Sequence, residues 1–204
     1  MVKAVVFDYG KVITFPPEDT VMDELAAIAG LDAGVMNALL WPPRGEWDRG
    51  TITGKDYYRR VLAHGGVQRD EAALEKMVAL DLRSWTHINP DTVSLMEAVK
   101  AVPSLTLGIL SNMPHEFLAL ARGTIPVFDL PQVSIFSCEV GFIKPEEAIY
   151  RLLLSALGCE PAELVFFDDM PINIDMARSL GIHAFVWKDP PAARGELSRL
   201  GVPV

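Results

Sequence analysis

The chain is poor in the residues that build metal-thiolate clusters and disulfide frameworks: of 204 residues, two are cysteine and four histidine. Cys138 and Cys159 stand at no ligand spacing, so they predict no structural zinc site, no cross-linked scaffold and no catalytic thiol. His64, His87, His115 and His183 share no ligand spacing either, and only His115, three places after Asn112, falls near a candidate site. Positive charge is scarce as well. Lys+Arg 18 against Asp+Glu 27 gives a formal net charge of −9, which argues against a nucleic-acid or anionic-membrane surface. Charges or prolines interrupt every long apolar run, and the first residues lack the basic region, apolar stretch and cleavage site of a secretory leader. The expectation is a soluble cytoplasmic protein with no membrane partner. Internal repeats and low-complexity segments are missing too.

What is present begins with Val2 to Phe7, a short β-branched and aromatic run that suits a strand buried on both faces. Asp8 ends it, followed by Tyr9 and Gly10. From Phe15 to His87 no strand alternation occurs. Helices are predicted from Asp19 or Thr20 to Gly30, from Asp32 to Leu40 with a stop at Trp41-Pro42-Pro43, from Thr53 to Gly65, and from Asp70 onward. Thr53 with Asp56 is a relative of the capping box. After His87 helix and strand alternate: a helix opened by Asn89-Pro90, then strands at Leu105 to Leu110, Val133 to Phe136, Leu164 to Phe167 and His183 to Val186. Helices at Pro145 to Leu157 and Ile172 to Leu180 lie between them. This pattern predicts an α/β fold, a parallel sheet flanked by helices in the Rossmann-like manner. The expected division is a core of residues 1–15 and 88–204 interrupted by a small helical unit at 16–87.

Chemistry-bearing residues follow the strands. Asp8 sits at the end of the first, where ligands bind in open parallel sheets. Ser111-Asn112 follow the second and can hold an oxyanion. Lys144 comes after the third, as a point charge for an aspartate or a phosphate. Asp168-Asp169 follow the fourth, with Asn173 four places on. Paired carboxylates are costly without a compensating cation, which points to Mg²⁺, a hard ion that takes oxygen ligands.

In this order the residues resemble the haloacid dehalogenase-like superfamily. Phe7-Asp8-Tyr9-Gly10 through Val12 resembles its first motif, Leu110-Ser111-Asn112 the second, Lys144-Pro145 the third, and Phe167-Asp168-Asp169 through Asn173 the fourth. The helical unit is similar to the superfamily's small cap. The resemblance implies a Mg²⁺-dependent phosphatase acting on a small phosphorylated metabolite, a sugar phosphate among the candidates, as a monomer or homodimer. Asp8 would be the nucleophile; Asp8, the Gly10 carbonyl and Asp169, with Asp168 assisting, would hold the metal. Ser111, Asn112 and Lys144 would hold phosphoryl oxygens. One position departs from the pattern: Gly10 stands where these phosphatases usually carry a second Asp that serves as acid and base. A branch with Asp-x-Gly-x-Val, resembling sugar-phosphate and epoxide-hydrolase-like phosphatases, shares that glycine. The alternatives are a weak or inactive binding protein and, further off, a metal-free haloacid dehalogenase. For substrate choice the expectation falls on Trp47-Asp48-Arg49-Gly50, with Arg49 or Trp47 facing the pocket.

Overall fold

The computed structural model describes all residues, 1–204. In chain order the elements are β1 (Ala4–Phe7), α1 (Asp19–Ala29), α2 (Ala33–Asp48), α3 (Gly54–His64), α4 (Glu71–Ser84), α5 (Pro90–Lys100), β2 (Thr106–Ser111), α6 (His115–Ala121), β3 (Val133–Phe136), α7 (Ser137–Val140), α8 (Glu147–Leu157), β4 (Leu164–Asp168), α9 (Pro171–Ser179), β5 (His183–Val186) and α10 (Pro190–Arg199). The five strands form one parallel sheet in the order β3-β2-β1-β4-β5. β1 is therefore central, with Phe7 level with Ile109 on one side and Phe167 on the other.

The expected α/β architecture is present, and the buried-strand composition explains it. Val5, Phe7, Leu107, Ile109, Val165 and Phe167 face one apolar core, whereas Ala4, Val6, Leu110, Leu164 and Phe166 face a second core against Ile149, Tyr150, Leu153 and Ile174 of α8 and α9. Alternate residues of each strand thus bury on opposite faces, as a sheet covered by helices requires. Phe7 stacks on Phe167 at 5.4 Å between ring centroids.

The four helices α1–α4 leave and rejoin the sheet through a narrow neck. Thr14 and Ile88 form an isolated antiparallel bridge, with Phe15 N–H donating to His87 O at 2.9 Å and Asn89 N–H to Ile13 O at 2.9 Å. Thr53 and Asp56 form the capping box that opens α3, Asp70 caps α4 and Asn89 caps α5. No single helix is long and apolar enough to cross a membrane.

Three local expectations need correction. Glu18, not Asp19 or Thr20, stands at the start of α1, without a side-chain cap. α8 begins at Glu147 rather than Pro145. The largest difference is α2, which runs through Pro42 and Pro43 to Asp48 instead of stopping near Leu40. Two prolines remove two backbone donors, which ordinarily breaks a helix. Here the last turn is held from outside: Trp47 is fully buried and stacks on Tyr57 at 4.7 Å, Tyr57 donates its hydroxyl to Leu40 O at 2.7 Å, and Arg44 pairs with Asp48 and with Asp81 of α4.

Candidate active site

Strand order gathers the site. Asp8 continues β1, its N–H donating to Phe167 O at 2.8 Å, so its side chain emerges where β1 and β4 end together. Ser111 closes β2 and Asp168 closes β4, the two strands that flank β1. Lys144 arrives in the loop between α7 and α8. Its backbone is clamped by one side chain: Asn112 Nδ2 donates to Lys144 O at 3.0 Å, and Lys144 N–H donates to Asn112 Oδ1 at 2.8 Å. The expectation for Asn112 therefore shifts. Its carboxamide oxygen and one of its amide protons hold the Lys144 backbone, while Asn112 also lines the cavity beside Asp8.

The Lys144 ammonium, fully buried, lies 2.8 Å from Asp8 Oδ1 and 2.5 Å from Asp168 Oδ2. Asp168 also accepts from Met170 N–H at 2.8 Å and from Asn173 Nδ2 at 2.9 and 3.1 Å, so both its oxygens are occupied. Asp8 has less support, and burial pushes its carboxyl up to about 7, against the pull of Lys144. Burial would lower Lys144, but Asp168 and Asp8 together outweigh it and hold the amine above its ordinary value. Asp169 lies nearer solvent, 3.6 Å from Lys11 Nζ, and is raised by burial and by Asp168. Lys11 itself has φ 59, an uncommon left-handed conformation for a side-chain-bearing residue, steadied by its N–H donating to Thr14 Oγ1 at 3.0 Å.

This donor set fits a divalent cation. Asp8, Asp168 and Asp169 each offer an oxygen within 4.8 Å of the others. The Gly10 carbonyl accepts no hydrogen bond from the protein. Three carboxylates against Lys144 and Lys11 leave negative charge in excess, and hard oxygen donors suit Mg²⁺. Because the Asp168 oxygens are all engaged, Asp8, Asp169 and the Gly10 carbonyl are the groups able to touch an ion, with Asp168 acting through Lys144.

A cavity of about 160 Å³ opens above these groups, bounded on the sheet side by Asp8, Ser111, Lys144 and Asp169, and on the other side by Trp41, Arg44, Asp48, Leu82 and Trp85. Two residues expected to face it do not. Arg49 donates to Gly141 O at 2.8 Å and forks onto Glu146 at 2.9 and 2.6 Å, tying the end of α2 to the loop before α8. Trp47 is fully buried, with Nε1 donating to Glu116 Oε2 at 3.0 Å. His115 also stays outside. It packs on Gly50, whose φ of 77 and whose Cβ position, 2.7 Å from His115 Nε2, leave room only for glycine.

Four residues on the insertion side were not singled out from sequence: Arg44, Asp48 as a cavity group, Asp81 and Trp85. Arg44 and Asp48 lie one helical turn apart, as do Asp81 and Trp85, a spacing that signals contact only once both stretches are known to be helical. Trp85 covers Gly10: a Cβ there would lie 3.3 Å from the indole Cζ3 and 3.6 Å from Cε3. The indole thus occupies the ground that a side chain at position 10 would claim.

A family model described as a haloacid dehalogenase-like hydrolase matches residues 2–181. Bifunctional epoxide hydrolase 2 of Rattus norvegicus is 41% identical over 66 residues, 32% of this chain and 12% of that protein. A phosphatase of Mycobacterium tuberculosis is 29% identical over 130 residues, 62% of this chain and 56% of that one. The chain thus matches only part of the length of either relative. Among solved structures, a HAD-family enzyme of Bacteroides thetaiotaomicron in complex with magnesium and inorganic phosphate superposes with a TM-score of 0.73 at 20% identity, covering 93% of this chain and 96% of that one. At that identity the likeness establishes the fold.

Proposed function

The chain belongs to the haloacid dehalogenase-like hydrolases, and from that premise we propose that it is a Mg²⁺-dependent phosphatase of a small phosphate monoester, with Asp8 as nucleophile. The observation that carries this reading is the line of charges at the sheet edge: Lys144 between Asp8 and Asp168, at 2.8 and 2.5 Å, with Asp169 and the unpartnered Gly10 carbonyl at its open end. A site built to expel a halide has no need of three carboxylates, whereas a phosphoryl site with a divalent cation does. Support also comes from the phosphatase of Mycobacterium tuberculosis and from the magnesium and phosphate bound in the structural neighbour.

In this reading an Asp8 carboxylate oxygen attacks phosphorus in line with the departing alcohol oxygen, forming an aspartyl-phosphate. Ser111 donates its hydroxyl, and Lys144 its charge, to phosphoryl oxygens. Asn112 and Asp168 hold Lys144 in place. Asp8, Asp169 and the Gly10 carbonyl would hold Mg²⁺, which would supply the positive charge that lets two anions approach. Water then attacks phosphorus, releasing phosphate and restoring Asp8. Residues 1–15 and 88–204 act as the core and 16–87 as a cap whose Trp41, Arg44, Asp48 and Trp85 face the leaving group.

One observation favours the second reading, a binding protein of little activity: position 10 carries no acid, and the Trp85 ring crowds the place of its Cβ at 3.3 Å. The test is phosphate release from alkyl, sugar and p-nitrophenyl phosphates, with Mg²⁺ or with EDTA, by wild type and Asp8→Asn. Turnover that needs metal and is abolished by Asp8→Asn is expected. No release by wild type, even from p-nitrophenyl phosphate, would leave the binding protein.

A further inference from the structure

We propose that Asp48 is the acid–base catalyst of this site, carried by the helical insertion in place of the carboxylate that position 10 lacks; the assignment rests on the phosphatase reading above. Two observations meet in it. The first is the crowded position: the Trp85 indole lies over Gly10, and a Cβ there would meet its ring at 3.3 Å, so a side chain at position 10 must shift the indole to enter. The second is a carboxylate in the wall of the same cavity as Asp8 and Lys144, at the last residue of α2.

The hydrogen bonds around Arg44 distinguish the two acids that share it. Arg44 is shared by two carboxylates. Asp81 accepts four bonds: Arg44 Nη1 at 3.3 and 3.0 Å on its two oxygens, Tyr58 hydroxyl at 2.7 Å, and Trp85 Nε1 at 3.2 Å. Asp48 accepts one, from Arg44 Nε at 3.0 Å on Oδ1, and its Oδ2 accepts none. One guanidinium cannot fully compensate two buried acids, and Asp48 is the less supported of the two. Asp81 does not line the cavity and Asp48 does. The groups facing Asp48 are Arg44 on its own helix, Asp81 on α4, Tyr57 on α3, Cys138 on α7 and Lys144 at the sheet edge; among them burial prevails and raises its carboxyl above the ordinary range.

Asp48 is also held to the sheet side, as a catalytic group must be. Ser137 donates its hydroxyl to Asp48 O at 2.5 Å and accepts the Met113 N–H at 2.9 Å, so the end of α2 is tied to the loop that follows Ser111 and carries Asn112. The same network runs from Trp85 through Asp81 and Arg44 to Asp48. What closes position 10 thereby orients its substitute.

The chemistry balances. As the bond from phosphorus to the alcohol oxygen breaks and Asp8 bonds to phosphorus, the Asp48 carboxylic acid gives its proton to the departing oxygen, leaving alcohol and an Asp48 carboxylate. In the second half that carboxylate takes a proton from water, whose oxygen attacks phosphorus while the bond to Asp8 breaks. Phosphate leaves, and both aspartates regain their starting states.

The experiment compares kcat/KM for p-nitrophenyl phosphate, whose leaving group needs no acid, with that for a primary alkyl phosphate, whose leaving group does. Each ratio is taken on one enzyme sample, so partial misfolding cancels. In Asp48→Asn the ratio should rise by about 10²-fold or more over wild type, the usual worth of a positioned acid. A burst of one nitrophenolate per site should precede slow turnover, because the base that activates water is also gone. Asp81→Asn loosens Arg44 and Trp85 but leaves the Asp48 carboxyl in place, so it should lower both substrates and raise the ratio far less than Asp48→Asn does. An unchanged ratio in Asp48→Asn, or an equal rise in Asp81→Asn, overturns the assignment. If Asp8→Asn leaves the wild-type rate intact, the phosphatase reading itself fails, and the role of Asp48 falls with it.

Discussion

Replacing Lys144 with methionine keeps most of the apolar stem of the side chain and removes its charge, which leaves Asp8 and Asp168 facing each other with no cation between them. Lys144 Nζ is fully buried, and its two partners lie at 2.8 and 2.5 Å. Removing one partner of a buried ion pair costs about 3–5 kcal/mol, a large share of the roughly 5–15 kcal/mol that a domain has. With a urea m-value near about 3 kcal/mol/M, suited to a chain of this size, the midpoint should fall by at least about 1 M. The deficit should also depend on pH. Asp8 is pushed up to about 7 in the wild type by burial, with Lys144 pulling against it, and loss of Lys144 pushes it higher. A carboxyl raised in the folded state holds a proton that the unfolded chain has already released, so stability falls as pH rises from the unfolded value toward the folded one, by up to about 1.4 kcal/mol per pH unit. Wild-type stability should therefore decline from about pH 4 to about pH 7 and then level, whereas Lys144→Met should keep declining above about pH 7. Urea titrations in EDTA, followed by tryptophan fluorescence at several pH values, read this directly. Coincident midpoints, or a deficit constant across the pH range, would refute the charge accounting.

Gly10→Asp, which by motif alone should restore an acid, should instead destabilise by about 1–3 kcal/mol without improving turnover, because its Cβ meets the Trp85 ring at 3.3 Å; a faster enzyme of unchanged melting temperature would contradict this. Trp47→Ala should cost about 3–5 kcal/mol in chemical denaturation, since the indole is fully buried and stacked on Tyr57. Arg49→Ala should cost no more than about 1 kcal/mol, because the pair with Glu146 is part-exposed; a double-mutant cycle with Glu146→Ala should give a coupling that shrinks in high salt. The substrate profile of Arg49→Ala should match wild type, as befits a side chain outside the cavity.

All five strands and the residues at their ends could be read from the chain, because a strand buried on both faces writes itself as a short apolar run and the polar residue that stops it stands at the site edge. Asp8, Ser111, Asp168 and Asp169 meet in space for that reason, and Lys144 joins them from the loop between α7 and α8. The insertion side was hidden by one local signal. Pro42-Pro43 reads as a helix end, and with α2 cut short, Arg44 and Asp48 no longer appear as an i, i+4 pair and Trp47-Asp48-Arg49-Gly50 appears as a turn. The packing that carries α2 through the prolines comes from Tyr57 and Asp81, distant in sequence, which periodicity does not register. Asn112 illustrates a finer gap: its place after β2 was legible, but the two bonds it makes to Lys144 depend on a loop 32 residues away. That Trp85 covers Gly10 had no local signal.

The central claim is that Asp8 forms a covalent bond to phosphorus, and acid quenching during turnover of a ³²P-labelled monoester tests it most directly. The account predicts acid-stable, hydroxylamine-labile label on the peptide that carries Asp8, formed with Mg²⁺, absent in EDTA and absent in Asp8→Asn. Phosphate release with no labelled protein at any quench time, or label that survives in Asp8→Asn, would contradict it.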